Sequence, residues 1–340
     1  MPSINILSQF SILGGRNLSP KTVSTSAKRH AIPLALTGVS LLVYVGVALA
    51  TGQYAQVTFA GITGLLERMV ALGLVAIGQA VVISSGAIDL SVANLVSVCA
   101  VLAGYFMQNE PANITHAILI VVLVAAAVGA LNGILISYLN VNPLIATLGI
   151  SLALQGMLGV SYSSLQGAVP RSFQQFAYGS LSGYSFSVMA MFAIAFLTAI
   201  ALNHTRLGSS LYAVGGNQQA AWLAGIRNRR VTILVFSFSG VMCAIAGLYL
   251  ASRLGVGTPW IGRDGNYDLD SIAAVVIGGT LLAGGRGSIV GTLAGVFVFA
   301  TTDAVFNMLQ IDPFLSQVFR GLIVVAAVGC YTFRNKGETA

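Results

Sequence analysis

The chain has 340 residues, 56% of them hydrophobic and only 7% charged. Soluble domains carry about 25% charge, so a water-exposed globular fold of this length is excluded and lipid is the implied solvent. The net charge of +7 comes from 16 Lys and Arg against 9 Asp and Glu. The basic residues sit beside apolar runs and form no single patch, so they argue against nucleic-acid binding and for a topology signal.

The first 30 residues are polar and basic, without the apolar core of a cleavable signal, and are expected to form a cytoplasmic tail. They contain a near miss for a phosphate loop, Gly15-Arg16-Asn17-Leu18-Ser19-Pro20-Lys21-Thr22, in which Pro20 stands where a backbone amide is needed. Apolar segments then follow at about 31–50, 64–84, 91–107, 117–138, 143–160, 186–202, 231–252, 269–283, 288–309 and 315–333. A span needs about 20 apolar residues, and some of these are shorter. The expected fold is all-α, a polytopic membrane bundle of about ten segments. Short or broken helices are predicted near 84–91 and 283–288, where Ser84-Ser85-Gly86 and Gly284-Gly285-Arg286-Gly287 interrupt the runs. One transmembrane domain is expected over 31–333, with a cytoplasmic loop at 203–230 and a cytoplasmic tail at 334–340.

If both ends lie inside, the even-numbered gaps and the tails collect Arg16, Lys21, Lys28, Arg29, Arg206, Arg227, Arg229, Arg230, Arg286, Arg334 and Lys336. The outer gaps collect Glu110, Asp264, Asp268, Asp270 and Asp312. This asymmetry fits the positive-inside rule. Glycines four apart, Gly129/Gly133 and Gly287/Gly291/Gly295, mark helix faces for close packing, with a gating role as the sharper alternative. Val81-Val82-Ile83-Ser84-Ser85 is echoed faintly by Val275-Val276-Ile277-Gly278-Gly279, as in transporters built from repeated bundles with broken helices.

No reactive constellation of an enzyme is visible. Cys99, Cys243 and Cys330 read as small apolar fillers, and His30, His116 and His204 are scattered, so neither a metal nor a cofactor is expected on this chain. Intramembrane polar groups are costly and are functional candidates by default. Asp89, Asn94, Asp303 and Asn307 are therefore candidate path-lining groups. The simpler reading of Asp89 is a helix cap, and that of Asp303 an intrabundle hydrogen bond. Arg320 is available to pair with a carboxylate or to snorkel.

The longest cytoplasmic gap runs from Asn203 to Arg230. Asn217 is suited to cap a short helix and Gly225 to end it. Ala220, Ala221 and Gly225 would give that helix a small-residue face for a partner. Here the sequence resembles the coupling segment of ATP-binding-cassette importer permeases, Glu-Ala-Ala followed three residues later by Gly, with Gln219 in place of the usual acid. More narrowly, the chain resembles the ribose/xylose/arabinose/galactoside permease family. The resemblance rests on Ser85-Gly86-Ala87-Ile88-Asp89-Leu90-Ser91-Val92, Asn142-Pro143-Leu144-Ile145-Ala146-Thr147-Leu148-Gly149, Tyr267-Asp268-Leu269-Asp270-Ser271-Ile272-Ala273-Ala274-Val275-Val276-Ile277-Gly278-Gly279 and Gly284-Gly285-Arg286-Gly287. Ala87 and Ala93 depart from the family's pattern.

The resemblance implies a non-enzymatic permease in a bacterial inner membrane, with both termini cytoplasmic, translocating a monosaccharide. Its implied partners are a second permease copy or paralogue, two ATPase subunits that hold ATP and Mg, and a periplasmic or lipid-anchored sugar-binding protein. Gly216, Asn217, Gln218, Gln219, Ala220, Ala221 and Gly225 would contact the ATPase. Trp260, Arg263, Asp264, Tyr267, Asp268 and Asp270 are candidates to touch the binding protein; the alternative is a solvated loop capped by Asp268 or Asp270. Two other readings stay open: a stand-alone proton-coupled transporter using Asp303, and a permease for a non-sugar solute such as a branched-chain amino acid or a nucleoside.

Overall fold

The computed structural model describes residues 24–162, 166–312, 314–322 and 325. The near-miss phosphate loop, Cys330, the C-terminal tail and most of the N-terminal tail lie outside them. Lipid offers no partner for backbone amides, so an apolar spanning chain must satisfy them internally as helix. Helices dominate accordingly: α1 (Ser24–Ala50), α2 (Phe59–Ser84), α3 (Val92–Met107), α4 (Ile114–Tyr138), α5 (Pro143–Ser161), α6 (Arg171–Tyr178), α7 (Phe186–His204), α8 (Arg206–Gly216), α9 (Gln218–Leu223), α10 (Asn228–Leu254), α11 (Ile261–Asp264), α12 (Tyr267–Ile277) and α13 (Ile289–Met308). A further helical stretch covers 314–322. The only sheet among the described residues is a small hairpin, Ser180–Leu181 against Tyr184–Ser185. Its two turn residues, Ser182 and Gly183, both have positive φ (52° and 86°), as tight hairpin turns require.

Among the described residues, six helices are long and apolar enough to cross a bilayer: α2, α4, α5, α7, α10 and α13. In α2, 83% of the apolar window is buried, against 28% in α4 and α5 and 33% in α7. The bundle is therefore organised around α2, with α4, α5 and α7 more exposed at its periphery. The eighth expected segment is shorter than the sequence suggested. Helix α12 stops at Ile277 after about 16 Å, half the hydrocarbon thickness, and the apolar residues that follow it are not helical.

Helix ends account for both breaks. In α2 the Ala87 amide donates to the Val82 carbonyl and Gly86 to Ile83; in α12 Thr280 donates to Val275 and Gly279 to Val276. Each is the crossed pair of bonds that terminates a helix on a left-handed residue, here Gly86 (φ 84°) and Gly279 (φ 83°). The echo between the two segments is thus a shared terminator. Its structural register pairs Val82 with Val275, one residue displaced from the alignment of Val81 with Val275.

The spaced glycines serve packing. A Cβ at Gly129 would overlap the Phe236 carbonyl, and one at Gly240 the Ala125 carbonyl, which brings α4 and α10 backbone to backbone. Gly291 and Gly295 do the same against Gly278 and Ala274, seating α13 on α12.

Contacts sort the connecting segments onto two ends. At one end, Gln53 donates to the Met308 carbonyl, Phe59 stacks edge-on to Tyr184, Asn109 donates to Ala168, and Val169 to Gly255. At the other, Gly285 donates to Ser84, Gly215 lies against both, and the Arg229 guanidinium sits over the Tyr138 ring at 4.7 Å. Odd-numbered gaps meet odd and even meet even, as an alternating path through a bilayer requires.

Candidate functional site

The loop from Asn203 to Arg230 folds into two helices where one short helix was expected. Thr205 Oγ1 accepts from the Gly208 amide at 3.4 Å and opens α8. Asn217 then ends α8 and caps α9, its Oδ1 accepting from the Ala220 amide at 3.0 Å. Gly225, at φ 81°, closes α9, with Ile226 donating to Ala221 and Gly225 to Trp222. Capping by Asn217 and termination at Gly225 thus stand as the sequence indicated. The sequence marks α8 only weakly, because its apolar face, Leu211 and Val214, is narrow and falls in a polar gap.

Gly216, Asn217, Gln218, Gln219, Ala220 and Gly225 are exposed. Ala221 is not: it is 3% exposed, packed inward, and so does not form part of an outward small-residue face. The outward apolar groups are instead Trp222 and Leu223, 69% and 77% exposed. Their position, next to a polar cap and a terminating glycine, was the signal for them.

Behind α9, three backbones converge. The Gly215 Cα faces the Ser84 carbonyl so closely that any Cβ would overlap it, and that Cβ would lie 2.7 Å from the Gly285 amide nitrogen. A Cβ on Gly284 would come within 2.7 Å of Gly86, and one on Gly285 within 2.9 Å of Gly216. Gly285 also donates to the Ser84 carbonyl at 2.9 Å. The end of α8 therefore touches both interruptions at once, the one after α2 and the one between α12 and α13.

Asp89 and Asn94 stand in a buried polar cluster. Asp89 Oδ1 accepts from the Ser91 amide at 3.0 Å and the Ser91 hydroxyl at 2.6 Å. Its Oδ2 accepts from Ser239 Oγ of α10 at 3.0 Å. Asn132 of α4 donates to Ser91 Oγ at 2.9 Å, and Asn94 donates to Ser151 Oγ of α5 at 2.8 Å. Thr147 of α5 accepts from the Leu90 amide at 3.1 Å. Ser239 lies about 17 Å into α10 from Asn228, at 1.5 Å per residue, so the cluster is inside the bundle. Asp89 does not cap α3 directly: Ser91 holds the N-cap position, and the carboxylate fixes the turn before it. Asp89 is 1% and Asn94 6% exposed, so neither lines an open path in this conformation.

Asp303 and Asn307 belong elsewhere, one turn apart on α13. Asp303 pairs with Arg320 at 2.7 Å, and the same guanidinium reaches Asp270 at 3.5 Å. Asn307 is exposed at the end of α13. The four path candidates thus fall into two separate sets. Asp270 is corrected as a docking residue: it is 7% exposed and its charge is spent on Arg320. Neither it nor Asp268 caps α12, whose N-cap is Asn266 at φ 49°; both lie in the first turn. Trp260, Tyr267 and Asp268 are half-buried, while Arg263 and Asp264 are exposed, with Arg263 stacked over Trp260 at 5.3 Å. The segment is no free loop, because Gly262 donates to Ser97 Oγ of α3 at 2.9 Å.

A family model described as branched-chain amino acid transport system, permease component, matches residues 61–328. The chain belongs to this permease family. The ribose import permease protein RbsC of Bacillus subtilis is 35% identical over 281 residues, 78% of this permease and 83% of the relative. The galactose/methyl galactoside import permease protein MglC of Salmonella typhimurium is 34% identical over 276 residues, 75% and 81% of the two chains. RbsC of Escherichia coli K12 is 33% identical over 277 residues, 80% and 85%. No solved structure matches. The permease is thus a multi-pass membrane protein of an import family, and both helix breaks and the α8–α9 unit fall inside the matched region.

Proposed function

We propose that this permease is the membrane subunit of an ATP-binding-cassette importer for a monosaccharide of the ribose or galactose type. The observation that carries the mechanism is the contact of the α8 terminus with both helix breaks, directly behind an exposed α9. An ATPase seated on Trp222, Leu223 and the exposed residues Gly216 to Ala220 and Gly225 would move α8. A shift of the α8 terminus toward the breaks would press on Ser84–Gly86 and Gly284–Gly285, which leave no room for an added Cβ. Such a rigid element with two packings is what alternating access needs. The relatives' printed names, ribose and galactose import permeases, support the substrate class.

ATP and Mg would be bound by two ATPase copies, and the path would be completed by a second permease copy or paralogue. A sugar-binding protein would dock at the end opposite α8–α9 and would favour the outward-open packing by differential affinity. Arg263 and Asp264 sit beside Gly262, which is bonded to Ser97 about 15 Å from the Met107 end of α3, and so lie within the bundle rather than at that end. The charge asymmetry of the gaps supports an inner-membrane location with the α8–α9 end and both termini in the cytoplasm. Reporters fused after Gln108 and after Arg229 should fall on opposite sides.

The deciding experiment is uptake by proteoliposomes containing the permease, its co-encoded ATPase and binding protein. ATP-dependent uptake of labelled ribose or galactose is expected. Uptake by the permease alone under a pH gradient would overturn the reading in favour of a proton-coupled transporter.

A further inference from the structure

A groove of about 390 Å³ runs between α7, α8 and α10, floored by α2 at Val81. Its walls are Ala201, Leu207, Leu211, Val231, Leu234 and Phe238. Thr198 also lines it, but its hydroxyl is turned back to the Ile194 carbonyl at 2.8 Å and is thereby satisfied within α7. Leu207 and Leu234 remain 65% and 56% exposed. A volume in the range of small-ligand sites with so apolar a lining suits one hydrocarbon chain.

The groove begins where α7 ends at His204 and α10 begins at Asn228, a membrane boundary on either reading of sidedness. Arg206 directly precedes Leu207, and Arg230 directly precedes Val231. Arg206, Arg227 and Arg230 are exposed, and among the described residues no carboxylate pairs with any of them. Arg229 is engaged with the Tyr138 ring. The segment 203–230 contains no Asp or Glu at all. Two helices start here, α8 and α10, and α10 has no side-chain cap at Arg227, so its dipole adds to the positive field. An apolar slot beneath uncompensated arginines at the bilayer boundary is the arrangement that recognises an anionic headgroup with its chain.

We propose that this groove is a binding site for one anionic phospholipid, with an acyl chain between α7 and α10 and its phosphate among Arg206, Arg227 and Arg230. The lipid would then brace the start of α8, the element that bears on both helix breaks. A neutral lipid gains nothing from the arginines and would be held only as ordinary bulk lipid.

The test uses the full-length permease in mild detergent, equilibrated with equimolar phosphatidylglycerol and phosphatidylcholine and read by native mass spectrometry. One phosphatidylglycerol per chain is expected to survive removal of detergent. Each arginine near an anionic surface contributes roughly fivefold, so Arg227→Gln with Arg230→Gln should lower the phosphatidylglycerol preference by about 25-fold. Ala201→Phe should reduce retention of both lipids by filling the slot. Equal retention of the two lipids by the natural chain, or an undiminished preference in the arginine variant, overturns the proposal. Efficient disulfide cross-linking between copies through Leu234→Cys would also overturn it, by showing that a second permease covers the groove. The glutamine changes are on exposed side chains, so an unaltered elution profile separates lost binding from lost fold.

Discussion

Replacing Arg320 by Met removes the guanidinium shared by Asp303 and Asp270 while keeping a long apolar side chain. Two carboxylates that now lie 2.7 and 3.5 Å from its nitrogens would be left without a cation. Breaking a fully buried pair from one side costs about 3–5 kcal/mol. The side chains here are 23% (Arg320), 36% (Asp303) and 10% (Asp270) exposed, and solvent screening of the more open partner lowers the cost to about 2 kcal/mol. At about 2 °C per kcal/mol for a chain of this size, the detergent-solubilised permease should melt about 4 °C lower. Adding Asp303→Asn to Arg320→Met should restore about half of the loss, because it removes one of the two stranded charges, whereas Asp303→Asn alone should be mild. A double-mutant cycle by thermal unfolding measures the coupling. If Arg320→Met melts at the parental temperature, or if the second change deepens the loss, the three groups do not form the triad described.

Four further outcomes are expected. Ser239→Ala should destabilise the permease by about 1–3 kcal/mol, the range for leaving a buried acceptor without its donor, since it strips the partner of Asp89 Oδ2; an unchanged melt would show that the bond to Asp89 carries no weight. Gly215→Ala should abolish binding-protein-stimulated ATP hydrolysis while the complex still assembles, because the added Cβ displaces the Ser84 carbonyl from Gly285; Gly38→Ala, which meets open space, should hydrolyse ATP normally, and equal behaviour of the two would refute the link. Asn217→Ala should cost about 1 kcal/mol of α9 cap energy, and Trp222→Ala should lower the amount of ATPase that co-purifies with the permease; full recovery of ATPase in the Trp222 variant would remove α9 from the interface.

Hydropathy was enough to locate the long helices, because a lipid-facing run of apolar residues has no alternative to helix. It failed at α12, where Leu281 and Leu282 continue the apolar run although Gly279 has already turned the backbone left-handed. Local chemistry read Asn217 and Gly225 correctly, since a cap and a terminator act within a few residues. Ala221 was misplaced because the side it faces is set by how α9 rests on the bundle. Asp270 was misread for a similar reason: its partner Arg320 is 50 residues away, and an acid in a polar stretch looks solvated until that partner is known. The hydroxyls of Ser239 and Ser151 carry no signal of their own within apolar helices, yet they complete the cluster around Asp89 and Asn94.

The hydrogen bond from Gly285 to Ser84 also constrains how the permease is made. α2 is synthesised about 200 residues before its partner strand of backbone exists. Until then the carbonyl at the end of α2 lacks its final donor, and the slot beside Gly86 has nothing to fill it. Closing so long a loop comes late in folding. Insertion of the N-terminal helices can therefore finish early, but the break after α2 can take its final form only when Gly284 and Gly285 arrive, in the last sixth of the chain. A chain truncated before Gly284 should keep its helices and lose this junction.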